Sequence, residues 1–181
     1  MATIDEVLGR VRSFGSEPRV VVHRRGPSPF PLSCSLSNPV PWSADKVEAA
    51  CSASLPSDLK AFWDRVDSAR LFEDVEYGQW GLVFWSAEEV AERSPKIARE
   101  RSRDYRPGDI FIGEFLGDSD LLLIRGDRSA PDDGQVMIAL PIDRRAEWDT
   151  VGSSFTDFLD QYVRASGDKF WESERASQPR A

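Results

Sequence analysis

With 181 residues, 40% of them apolar and including six Trp and ten Phe, the chain has material for one domain with a real core and is too short for two ordinary domains to be the first expectation. No apolar run approaches the length needed to span a bilayer, which sets aside a membrane-crossing function. The formal net charge of −8 divides unevenly: five Arg against Asp5, Glu6 and Glu17 give residues 1–42 a balance of +2, and the remaining 18 basic and 28 acidic residues give 43–181 a balance of −10, a field that repels nucleic acid phosphates and favours basic partners.

In chain order, "MATIDEVLGRVRSFG" places Ile4, Val7, Leu8 and Val11 at helical spacing, with acids where a signal peptide would carry basic residues. "PRVVVH", Pro18 to His23, reads as a short strand. Five prolines between 27 and 41 then preclude regular helix and predict an extended arm on the surface. Cys34 and Cys51 lie 17 apart without a second pair, which makes neither a disulfide framework nor a zinc site and suits a reducing cytoplasm. The main domain is expected to start near Ser43, a cap for the helix "ADKVEAACSA"; a second helix follows in "LPSDLKAFWDRV", where Leu59, Phe62, Trp63 and Val66 share one face. "WGLVFW", Trp80 to Trp85, is aromatic and branched as strands are. Ser86-Ala87-Glu88-Glu89 is a capping box for the next helix, with a break or bend expected near Pro95. Three strand-like runs follow, "DIFIGEF", "DLLLIRGD" and "QVMIALPI", separated by turn formers at Gly117-Asp118-Ser119 and Pro131 to Gly134, which predicts an antiparallel meander. "SFTDFLDQYVRASG" is a final helix, capped by Ser154 and stopped by Gly167. Residues 173–181 are expected to be a disordered tail.

Gly117-Asp118-Ser119 resembles the nucleophile block of a GDS-type esterase. A serine nucleophile needs a base, normally a histidine oriented by a carboxylate, and the only histidine, His23, lies at the edge of the proline-rich arm, far upstream. A turn explains the segment better. Gly108 and Gly113 have P-loop spacing, but Glu114 and Phe115 stand where lysine and Ser/Thr belong. Asp118 and Asp120 begin like a calcium loop, but Leu122 and Ser129 occupy the next ligand positions. Neither a catalytic residue nor a metal site is assigned. Trp63, Trp80 and Trp85 read as core, and one of Trp42, Trp148 and Trp171 is left as a candidate for partner contact.

The order "LPSDLKAFW", an acidic turn, "GLVFWSAEEV", "IFIGEFLGDSDLLLI", "SFTDFLDQYV" and a closing "GDKFWE" resembles the SUKH superfamily over roughly residues 43–172. Leu55 and Pro56, the strand from Ile110 leading to Gly117-Asp118, and Ser154-Phe155 carry the resemblance, while Asp67-Ser68 departs from the Asn-Gly turn common there. Members are mostly bacterial immunity proteins against secreted polymorphic toxins, together with a fungal regulator of cell-wall synthesis. The resemblance implies an α+β fold with helices packed on a mixed or antiparallel sheet, preceded here by an N-terminal helix and arm at 1–42. It further implies a binding protein without catalysis or cofactor, to which the cysteine usage, the acidic charge and the lack of a long apolar run add the expectation of a cytoplasmic location and of no nucleic acid or membrane partner. The expected partner is a cognate toxin, in one form a basic nuclease, occluded by an acidic surface; the alternative is a regulatory or scaffold module of the same fold. Glu73, Asp74 and Glu76 in the loop before Gln79, and Asp118 and Asp120 in the hairpin turn, are the expected partner-binding residues.

Overall fold

The computed structural model describes residues 2–172; the tail expected at 173–181 lies outside them. The amphipathic start forms α1 (Ile4–Phe14), opened by a capping box in which Thr3 and Glu6 exchange side-chain and backbone hydrogen bonds, and it buries Ile4, Val7, Leu8 and Val11. After Gly15 come a two-residue hairpin, β1 (Val22–His23) with β2 (Gly26–Pro27), and then β3 (Ser33–Leu36). The proline-rich stretch is extended, as its prolines demand, but it is more than an arm on the surface. Leu32 and Cys34 are buried, the Cys34 N–H donates to the Gly15 carbonyl at 2.8 Å, and β3 is the first strand of the main sheet. Residues on both sides of Ser43 therefore contribute to one core cluster.

Ser43 caps α2 (Ala44–Cys51), its hydroxyl accepting from the Lys46 N–H. In α3 (Ser57–Trp63) the stripe of Leu59, Phe62 and Trp63, continued by Val66, is buried as its spacing predicts, and each such side chain contributes roughly 1.5–3 kcal/mol through burial. The chain then enters β4 (Ala69–Glu73), turns back as β5 (Leu82–Phe84) and runs into α4 (Ala87–Glu100) behind the Ser86–Glu89 capping box. Contrary to the expected break, α4 continues through Pro95. The proline removes one intrahelical donor, whereas Val90 and Ser94 on the same helix are buried and the Ser94 hydroxyl accepts from the Phe111 N–H at 3.0 Å, fastening α4 to the sheet.

β6 (Asp109–Phe115), β7 (Leu121–Arg125), β8 (Val136–Ala139) and β9 (Asp149–Gly152) follow, and α5 (Phe155–Arg164) closes the fold, capped by Ser154. The seven strands β3 to β9 lie side by side in sequence order with every pairing antiparallel, so the sheet is one continuous meander and the fold is α+β. Helices α1, α3 and α5 pack on one another, and α2 packs on α4, which lies against β6. Phe62, Phe84 and Phe155 meet edge-on or tilted with ring centres 5.2–5.4 Å apart, and Phe115, Phe158, Tyr162 and Trp171 form a second aromatic group.

Candidate protein-binding face

Adjacent antiparallel strands put the β4–β5 loop and the β6–β7 turn at the same end of the sheet. Within the first, Asp74 is only 1% exposed, and its carboxylate accepts backbone N–H bonds from Glu76 at 3.1 Å, Tyr77 at 3.2 Å and Gln79 at 3.2 Å. Asp74 thus organises the loop from inside. The turn it enforces leaves Glu76 exposed, together with Val75 and with Tyr77 at 62% exposure. Glu73, at the end of β4, is half-buried and paired with Arg70.

The β6–β7 turn leans on that loop. Gly117 has φ 92°, in the left-handed region, and a Cβ there would stand 2.3 Å from the Gln79 carbonyl oxygen, so glycine is what lets the two loops touch. Asp118 is exposed and its carboxylate is bonded by the Lys169 ammonium, which is itself buried and lies 3.7 Å from Asp120. Lys169 also sits over the rings of Trp80, at 5.8 Å, and Phe115, at 5.3 Å. Burial pushes the Asp120 carboxyl above the ordinary aspartate value against the pull of Lys169, with Asp118 and Glu172 adding to the rise.

The β1–β2 hairpin completes this end. His23 stacks on Trp80 with ring centres 5.6 Å apart, and its Nε2 meets the Ser166 carbonyl at 3.0 Å. The Trp80 indole donates to the Gly167 carbonyl at 3.0 Å. Arg24 bonds the Asp168 carboxylate through its backbone N–H at 3.1 Å and its Nε at 2.9 Å. Burial raises the Asp168 carboxyl, but these bonds from Arg24 outweigh it and leave the group below the ordinary aspartate value. Held in this way, the hairpin presents Val22, 82% exposed, and the neighbouring Val20; Phe30 meets Tyr77 with ring centres 5.9 Å apart, joining the hairpin region to the β4–β5 loop.

The structure therefore brings the two expected acidic groups to one end of the sheet but divides their roles. Glu76 and Asp118 face solvent, Glu73 is partly covered, and Asp74 and Asp120 are buried and engaged within the fold. Sequence reasoning missed the exposed apolar side chains beside them: neither Val22 nor Tyr77 differs in type from a core residue, and only the turn around Asp74 and the brevity of the hairpin leave them outside. Ser119 is exposed with φ 62°, and among the described residues it makes no hydrogen bond to His23. His23, expected on a loose arm, is instead held firmly; because a carbonyl only accepts, its Nε2 carries the proton and is not placed to take one. Among the described residues no group of three or more His, Cys, Asp or Glu could hold a metal ion, and no helix is long and apolar enough to cross a membrane.

Residues 43–161, from the cap of α2 to within α5, match the SMI1 / KNR4 family (SUKH-1). The chain belongs to that family. A curated relative, "Uncharacterized protein YobM" of Bacillus subtilis (strain 168), is 27% identical over 128 residues, covering 69% of this chain and 65% of the relative, so the alignment spans less than two thirds of that protein's length. The SUKH-1 match includes the β4–β5 loop and the β6–β7 turn but not β1 to β3, so half of the exposed apolar face, Val20 and Val22, comes from outside the matched part.

Proposed function

We propose that this SUKH-1 protein is a non-catalytic binding protein of the cytoplasm, an immunity protein that neutralises a cognate toxin by docking on it and covering its working surface. The observation that carries this reading is the coexistence, at one end of the sheet, of outward apolar side chains (Val20, Val22, Val75, Tyr77) with the solvent-facing acids Glu76 and Asp118. Exposed apolar groups ringed by charge are the usual makeup of a protein interface, and the balance of −10 in residues 43–181 speeds encounter with a basic partner such as a nuclease. On this reading Glu76 and Asp118, with Glu73 at the margin, meet the partner, while Asp74 and Asp120 position the loops that carry them.

The test is co-expression with toxin domains encoded beside the gene. Protection by the wild type, and its loss in Tyr77→Ala combined with Glu76→Lys while the melting temperature is unchanged, supports docking through this face. Protection by neither protein against any neighbouring toxin refutes the immunity reading. The same apolar face would serve a regulatory or scaffold module, and that reading is favoured if affinity capture returns a resident protein that the double variant no longer binds.

A further inference from the structure

A second concavity lies at the opposite end of the β4–β5 pair. Asp67 precedes the start of β4 and Ser86 follows the end of β5, and between them and the start of α2 is a groove of about 590 Å³, walled by Val40 and Trp42 and edged by Asp67 and Glu88. One side of its apolar wall is fixed in place: the Trp42 indole donates to Asp64 at 3.0 Å and its ring packs edge-on against buried Trp63, 5.3 Å between centres; Val40 is half exposed. Its charges are unbalanced. Burial and the nearby Glu89 and Glu88 together raise the Asp67 carboxyl above the ordinary value. Glu89 is engaged by the Ser86 N–H and by Arg93, whereas part-exposed Asp67 and exposed Glu88 make no ion pair among the described residues, with Lys46, which also lines the groove, or with any other cation. Glu88 lies in the first turn of α4, where the helix dipole favours it; Asp67 lies in no helix and has no such support.

An apolar wall facing two unpaired carboxylates matches a long cationic side chain, which would lay its methylene stem along Trp42 and Val40 and bring its charged head to Asp67 and Glu88. We propose that this groove receives an arginine or lysine side chain from a protein partner, a docking point separate from the face around Tyr77. It rests on the binding-protein reading only for the partner being a protein. Occupancy would relieve the repulsion between the two acids, and an acidic or purely apolar segment would gain nothing from it.

The probe is an acetylated, amidated hexapeptide of alternating arginine and leucine, titrated into the full chain labelled with nitrogen-15. The expected result is a saturable shift of the Trp42 indole resonance and of the amides around Asp67 and Glu88. Asp67→Asn combined with Glu88→Gln should weaken binding at least tenfold and leave the melting temperature unchanged or higher, Glu76→Gln should leave binding unchanged, and the glutamate-leucine counterpart should not bind. Shifts confined to residues 74–80 and 116–120, equal binding by the double variant, equal binding of the acidic peptide, or no shift at millimolar peptide would each overturn the proposal. Because the toxin-protection test depends on Tyr77 and Glu76, failure here leaves that reading standing, and the reverse also holds.

Discussion

The two ends of β6 handle carboxylates in opposite ways. At its start, Asp109 has a side chain with no exposure, and both of its oxygens are taken: Arg125 Nη1 donates to Oδ1 at 2.9 Å, Arg145 Nη2 to Oδ1 at 3.0 Å, Arg145 Nη1 to Oδ2, and the Arg106 N–H to Oδ2 at 2.8 Å. Arg125 is in turn fixed by the Pro107 carbonyl at 2.8 Å and by Asp132 at 3.2 Å. Past the other end of the strand, a single lysine serves both Asp118 and Asp120, and Asp118 stays exposed. Planar guanidinium forks saturate a carboxylate, whereas one ammonium leaves acceptor capacity free. An acid count therefore says little about an interface; what decides is which acids the fold has already used.

The largest effect should come from Asp109→Ala, which leaves buried Arg145 without a carboxylate partner among the described residues and leaves Arg125 only Asp132 and Asp127 at its margin. The cost should be about 3–5 kcal/mol, read as a fall in the urea midpoint with unchanged slope. A loss below about 1 kcal/mol would mean that water or Asp132 compensates and that the two ends are not so different. Next is Gly117→Ala. The added Cβ meets the Gln79 carbonyl at a left-handed φ, so about 1–3 kcal/mol should be lost, and the shifted amides should include 76–79 as the loops part. If only the β6–β7 turn shifts, the two loops do not act as one face. Lys169→Met follows: it keeps the apolar stem over Trp80 and Phe115 but leaves Asp120 buried without its cation, at a cost of about 1–3 kcal/mol. Since Asp120 titrates above the ordinary value, its contribution to stability is fully present below its unfolded pKa and lost as pH rises through the folded one. The deficit of the Met variant should therefore shrink on acidification; a deficit independent of pH would place the loss in packing instead.

Legibility followed burial pattern. Long periodic segments were readable: the α3 stripe, the Ser86 capping box, the three central strands and the Ser154 cap all appear where their spacing puts them. The strands that went unread are the two edge strands, β3 and β9, and β4 beside the first of them. In β9 only Val151 is buried, β3 sits between prolines that read as loop, and β4 mixes Arg70 and Glu73 with Leu71 and Phe72, so none shows the alternation of a half-buried strand. At the candidate face, the grouping of Glu73, Asp74 and Glu76 in one loop was readable, but the burial of Asp74 was not, because the three N–H bonds that bury it come from a turn that exists only in the folded chain. The role of Lys169 was equally hidden: nothing local to "GDKFWE" says that its ammonium crosses to Asp118.

The smallest effect concerns how the β1–β2 hairpin joins this end. Arg24 is part-exposed, so its pair with Asp168 is partly screened and contributes modestly to global stability. Its consequence is local. The Asp168 carboxyl titrates below the ordinary aspartate value, so the stabilisation is present above the unfolded pKa and is lost as pH falls through the lower, folded one. In that acid window the Arg24 amide should lose protection relative to its intrinsic exchange rate at the same pH, and the Trp80 indole resonance should move as His23 loosens from the Ser166 carbonyl, while amides around Asp109 hold their protection. Asp168→Asn should show fast Arg24 exchange already at neutral pH and no further acid step. If the Asn variant keeps the wild-type acid profile, the hairpin is held by the stacking of His23 on Trp80, and Val20 and Val22 belong to the face through packing and not through charge.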